Sequence, residues 1–167
     1  MIEALASDSL CDQSWKLICA GRGTPAPYQA AAEQAGIADR IEFTGWLSRD
    51  AVQTLLREAS ILALPSHMEG LSVTLVEALA HGIPVVATAV GAHPDILRHR
   101  ENAILVEARD AGSLAQGLRS LLIDPDLAER IGHAGRMVFE ECLEIGRIEE
   151  RFHDIYEVLL RNPNPSA

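Results

Sequence analysis

The sequence predicts an α/β fold in which a parallel β-sheet carries helices on both faces. Short apolar runs at 15–20, 41–44, 60–64, 84–88 and 103–106 alternate with segments of helical periodicity. Glycines stand at the ends of several of these elements, at Gly21, Gly36, Gly45 and Gly82. Parallel sheets of this kind are covered on both faces, and their ligands bind at the carboxyl ends of the strands.

Residues 1–6 read as a helix with no strand before it. Residues 15–20 read as a buried strand that ends at Gly21-Arg22-Gly23. The alanine-rich stretch 26–36, closed by Gly36, is a helix, and 41–44 is a short strand ended by Gly45. Ser48 is suited to cap a helix running to about Glu58, with Ala51, Leu55 and Leu56 facing inward. Strand 60–64, helix 72–81, strand 84–88, a short helix after Pro94 and strand 103–106 come next. Residues 110–123 place Leu114, Leu118, Leu121 and Leu122 on one helix face. Asp124-Pro125-Asp126 reads as a turn before a helix over about 127–141. A last helix over 145–161 sets Ile145, Ile148, Phe152, Ile155, Tyr156 and Leu159 at helical spacing. The expected organisation is one domain over 1–161, followed by a disordered tail over 162–167.

The stretch 66–82 carries the chemistry. A loop with Glu69-Gly70 enters an apolar helix that stops at Gly82, with Pro84 just beyond. Gly70 lets a backbone approach a ligand closely, and Ser72 is a good N-cap. The free N–H groups of Leu71, Ser72, Val73 and Thr74 would then point outward with the positive end of the helix dipole, which suits a phosphate. Glu77 follows about five residues into the helix, roughly 7–8 Å from its start. That is near the distance from a diphosphate to a ribose, and a carboxylate accepts two hydrogen bonds from a vicinal diol. No Lys or Arg occurs between Glu58 and Leu97, so Glu77 needs some other donor, a distant arginine or solvent.

Composition excludes several classes. A net charge of −10 without a basic patch argues against nucleic-acid binding. No apolar run approaches the roughly 18 residues of a membrane span, and no signal-peptide pattern opens the chain. Cys11, Cys19 and Cys142 are odd in number and lack Cys-x-x-Cys spacing. They read as reduced cytosolic thiols, with no disulfide frame, zinc site or other metal cluster. Gly21-Arg22-Gly23 lacks the third glycine of a dinucleotide fingerprint, since Ala26 stands there. Arg22 is either a surface residue or a phosphate contact. His67 is either a loop filler or within reach of a bound sugar.

Glu69 and Glu77, with seven residues between them, precede Ala78-Leu79-Ala80-His81-Gly82-Ile83-Pro84-Val85-Val86-Ala87-Thr88, and Pro65-Ser66 stands before them. This run resembles the nucleotide-binding half of the retaining family 4, or group 1, glycosyltransferases with the GT-B fold. The resemblance covers about residues 1–160 and implies a Rossmann-like carboxyl-terminal domain that binds a nucleotide diphosphate sugar, UDP- or GDP-linked, without a metal cofactor. It implies that Glu77 binds the ribose hydroxyls and Glu69, the catalytic candidate, the donor sugar. Backbone from Gly70 through Leu71, Ser72 and Val73 to Thr74 would hold the sugar and diphosphate. Gly21, Arg22 and Gly23 would lie near the diphosphate and ribose, and the turn from Gly45 to Leu47 near the base. Leu71-Ser72 replaces the family's usual Phe-Gly, and Gly91-Ala92-His93-Pro94-Asp95 is a looser match to its Gly-Gly-x-x-Glu.

Further expectations follow from the family pattern. A first strand and an Arg…Lys-Gly loop precede the segment matching residues 2–6 in the family, and the chain begins after that loop. Two absent charged donors at roughly 1.5–3 kcal/mol each imply donor binding weaker by about 10²- to 10⁴-fold. The amino-terminal acceptor domain is the expected partner, so the chain alone is expected not to turn over. Strands 15–20 and 60–64, lacking a strand between them, are expected to pair directly or to accept a segment of another chain. The apolar stripe of the last helix is expected to favour a homo-oligomer. The expected role is in glycan or glycolipid synthesis in the cytoplasm, with the complete enzyme at the inner face of the membrane as a further expectation. Rival readings are a non-catalytic nucleotide-binding or interaction module and a GT-B sugar-nucleotide epimerase.

Overall fold

A computed structural model describes residues 1–161; the expected disordered tail lies outside them. The chain begins with α1 (Ile2–Leu5) and α2 (Asp8–Cys11), which bury Ala4, Leu5 and Leu10. Then come β1 (Leu17–Ala20), α3 (Ala26–Gln34), a 3-10 turn (Ala38–Arg40), β2 (Ile41–Gly45) and α4 (Arg49–Glu58). Next are β3 (Leu62–Leu64), α5 (Val73–Ala80), β4 (Val85–Thr88), α6 (His93–Ile96) and β5 (Ile104–Val106). The chain continues through α7 (Ala111–Ile123), α8 (Pro125–Val138), a π-turn (Phe139–Leu143) and α9 (Ile145–Arg161). Neither α2 nor the 3-10 turn has a periodic pattern long enough to be legible in sequence. The Asp124 turn is also the start of a helix: its carboxylate accepts the Leu127 N–H at 2.9 Å, with Pro125 in the first turn.

All strand pairs are parallel, but the sheet is in two pieces. β1 pairs with β2, setting Leu17 opposite Ile41, and a register shift brings Ala20 opposite Gly45. β3, β4 and β5 form the second piece, with Leu62 opposite Val85 and Val86 opposite Ile104. The expected direct pairing of strands 15–20 and 60–64 does not occur. Side chains join the pieces instead: Leu17 and Ile41 from one and Ala63 and Val86 from the other meet a shared cluster with Ala4, Leu5, Leu10 and Leu114. The expected buried strand at 15–20 is only half-buried, with Ile18 exposed at 37%. One face of it is uncovered.

The second piece is dense. Every residue of β4 is buried. Gly117 lets α7 settle on the sheet, where an added Cβ would lie 2.8 Å from Val106 and 3.1 Å from Val86. Behind α5, Gly82 turns the chain at φ +68°, and its carbonyl meets Gly132 of α8, where a Cβ would sit 2.2 Å away. The Arg136 guanidinium donates to the Ala80 carbonyl, placing a cation at the negative end of α5.

Candidate functional site

Four loops follow the carboxyl ends of parallel strands and build the candidate site. After β1, Gly21 and Gly23 adopt φ of +142° and +157°, conformations that suit glycine, and Arg22 between them is exposed. The Gly21 N–H donates to the Gly45 carbonyl at 2.9 Å, so this loop abuts the turn after β2. That turn carries exposed Trp46 and half-buried Leu47 into Ser48, whose hydroxyl caps α4 by accepting from Ala51 at 3.3 Å. A cavity of about 310 Å³ opens beside the two loops, lined among others by Leu17, Cys19, Arg22, Tyr28 and Phe43. Burial pushes the Cys19 thiol above its ordinary pKa.

The loop after β3 is held from beneath. The Thr88 hydroxyl at the end of β4 donates to the Ser66 carbonyl at 2.6 Å, and the Ser66 hydroxyl donates to the Glu69 carboxylate at 3.2 Å. Gly91 has φ +56°, and a Cβ there would lie 1.7 Å from the Glu69 carbonyl oxygen. Ala92 N–H donates to the Gly70 carbonyl at 3.3 Å, and buried His93 bonds the Thr88 carbonyl through Nδ1 at 2.9 Å. The Gly91-Ala92-His93 segment thus packs directly on the Glu69-Gly70 backbone. Gly70 itself faces open space. His67 is exposed beside it.

Ser72 caps α5 as its residue type foretold, its hydroxyl accepting from Leu75 at 3.4 Å. Among the described residues, the N–H groups of Leu71, Ser72, Val73 and Thr74 have no hydrogen-bond partner. They form a row of donors at the positive end of an eight-residue helix. Glu77, half-buried, lies deeper along it. Its donor is neither arginine nor solvent alone: the Gln53 amide of α4 donates to Oε1 at 3.0 Å. Gln53 in turn meets His81 Nε2 at 2.8 Å. Sequence reading missed Gln53, Thr88 and Gly91 as supports of the site. Of these, Thr88 stands at the end of the run that carries the family resemblance and Gly91 is a glycine in the loop after an apolar strand, while Gln53 carried no signal.

Among the described residues, no group of three or more His, Cys, Asp or Glu is placed to hold a metal ion. No helix among them is long and apolar enough to cross a membrane.

Comparison with known proteins bears on this geometry. A family model described as Glycosyl transferases group 1 matches residues 1–138. A GDP-mannose-dependent alpha-(1-6)-phosphatidylinositol monomannoside mannosyltransferase of Mycobacterium tuberculosis is 33% identical over 63% of the chain and 29% of its own length. Among solved structures, the carboxyl-terminal domain of a group 1 glycosyl transferase (LpcC) from Francisella tularensis superposes with a TM-score of 0.78. It is 28% identical, over 86% of the chain and 77% of its own. Anabaena HepE, solved in complex with UDP, superposes with a TM-score of 0.85 at 21% identity, over 95% of the chain and 44% of its own, a likeness of fold. The chain spans less than half the length of the curated relatives it matches. The Rossmann-like half of a GT-B glycosyltransferase is thus the architecture, and the chain belongs to the glycosyl transferases group 1 family.

Proposed function

We propose that this chain is the donor-binding half of a glycosyltransferase that moves a sugar, of hexosyl type, from a nucleotide diphosphate sugar to an acceptor with retention, in glycan or glycolipid synthesis. One observation carries the reading: a row of unpartnered N–H groups at a capped helix tip, with the Glu77 carboxylate deeper along the same helix and held by a neutral amide. The diphosphate takes the tip between Leu71 and Thr74, and the Glu77 carboxylate accepts from the ribose hydroxyls. Glu69 faces the donor sugar as the catalytic candidate, kept in place by Ser66 and the Gly91 contact. Gly21, Arg22 and Gly23 flank the diphosphate and ribose, and Leu47 lies at the base.

Relatives support the donor class from two sides, one named for GDP-mannose and one solved with UDP. Turnover in this proposal needs an acceptor-binding half, which we place against the exposed stripe of α9 and the unpaired edges of β1 and β3. A second copy of the chain is the other occupant of those surfaces.

Binding tests the reading. UDP, GDP and ADP are titrated into the chain and into Glu77→Ala at low salt. The substitution is expected to weaken the best nucleotide by about tenfold or more, the worth of a charged hydrogen bond. Equal affinity in both proteins removes the ribose role.

A further inference from the structure

The contact between α4 and α5 assigns a role to a residue no sequence motif marks. A carboxylate accepts hydrogen bonds and cannot donate them at neutral pH, so the group that Gln53 turns toward Glu77 is its NH2. Its carbonyl oxygen then faces His81 Nε2, 2.8 Å away, and that nitrogen carries the proton. The chain runs His81 to Gln53 to Glu77, with each donor fixed by the next acceptor. Glu77 Oε2 has no partner among the described residues and stays free for a ligand.

α4 begins directly after the Leu47 turn and is capped by Ser48, so one rigid helix ties that turn to the carboxylate. Among the described residues, no ion pair holds Glu77. A cation there would satisfy the carboxylate and compete with a diol; a neutral amide fixes its rotamer and leaves its charge available.

We propose that Gln53 is a positioning residue that aims the Glu77 carboxylate at the nucleotide ribose, with His81 setting the direction of its amide. The proposal rests on the donor-site reading above and deepens it. It concerns the hydroxyl-bearing face of the sugar, so the informative quantity is the preference for a ribonucleotide over its 2′,3′-dideoxy counterpart.

The probes are UDP and GDP and their 2′,3′-dideoxy analogues, titrated into the chain and its variants by calorimetry. The wild-type chain is expected to prefer the ribo form about tenfold or more, and Glu77→Ala to abolish the preference. Gln53→Leu is expected to lower the preference about three- to tenfold while leaving dideoxy affinity unchanged. His81→Phe, which frees the amide to turn, lowers it about twofold, and His81→Gln, which restores an N–H donor, recovers it. An unchanged preference in Gln53→Leu, with Glu77→Ala still abolishing it, overturns the positioning role and leaves the donor site standing. Equal weakening of both nucleotide forms also overturns it, since Gln53 then supports only the fold. No preference, or no binding, in the wild-type chain removes the ribose reading and this inference together.

Discussion

The two pieces of the sheet differ in how tightly they are built. β3–β5 is a closed body: β4 is buried throughout, and Gly91, Gly117 and Gly132 each occupy a place where a methyl group would collide. β1 and β2 alternate between half-buried and exposed residues, and Gly21, Gly23, Gly36 and Gly45 face open space. The glutamates therefore stand on the dense piece and the loops around Gly21 and Leu47 on the loose one. In the proposed site, precise aim at the sugars and a firm hold on the diphosphate at the α5 tip are expected from the first, and adaptability around the base from the second.

Glycine substitutions test the contrast most sharply. Gly91 and Gly45 share a left-handed backbone, at φ +56° and +69°, but only Gly91 is crowded. Gly91→Ala is expected to cost about 3 kcal/mol or more in urea denaturation, from strain and collision with Glu69. Gly45→Ala should cost only the conformational part, about 1–2 kcal/mol. Equal costs would mean that the loop carrying Glu69 yields easily, and the contrast would fail. Cavity formation gives the next effect: Val86→Ala should lose about 2–4 kcal/mol and Ile18→Ala less than about 1 kcal/mol. Hydrogen exchange sharpens the same point, with β4 amides expected to exchange only on global opening and β1 amides well before it. Smallest is the thiol comparison. Burial raises the Cys19 pKa, so less thiolate is present at pH 8, and iodoacetamide should modify it more slowly than exposed Cys11 and Cys142. Mass spectrometry of timed digests reads the order directly.

Much of this was legible from residues alone. Each strand and long helix falls within a few residues of its expected span, because apolar periodicity and caps such as Ser48 and Ser72 act locally. What escaped depends on residues far apart in the chain. Gln53 and Glu77 are 24 positions apart, and no pattern on α4 distinguishes a glutamine facing solvent from one facing a carboxylate. Gly91 announces a turn, but its contact with Glu69 exists only once β3 and β4 are paired. The split between β1 and β3 was foreseen as a vacancy in the ladder. That side-chain packing would hold the pieces together without closing it was not, since hydrogen-bond register and core contacts are independent constraints.

The meeting of Gly82 and Gly132 has a consequence for how such a site can diversify. With bare backbone against bare backbone at its rear, α5 is a fixed post and cannot slide forward or back to suit a larger or smaller guest. If the proposed donor site is correct, novelty in guest choice is expected at the front, where Leu71, Val73 and Thr74 present exposed side chains and substitution leaves the amide row untouched.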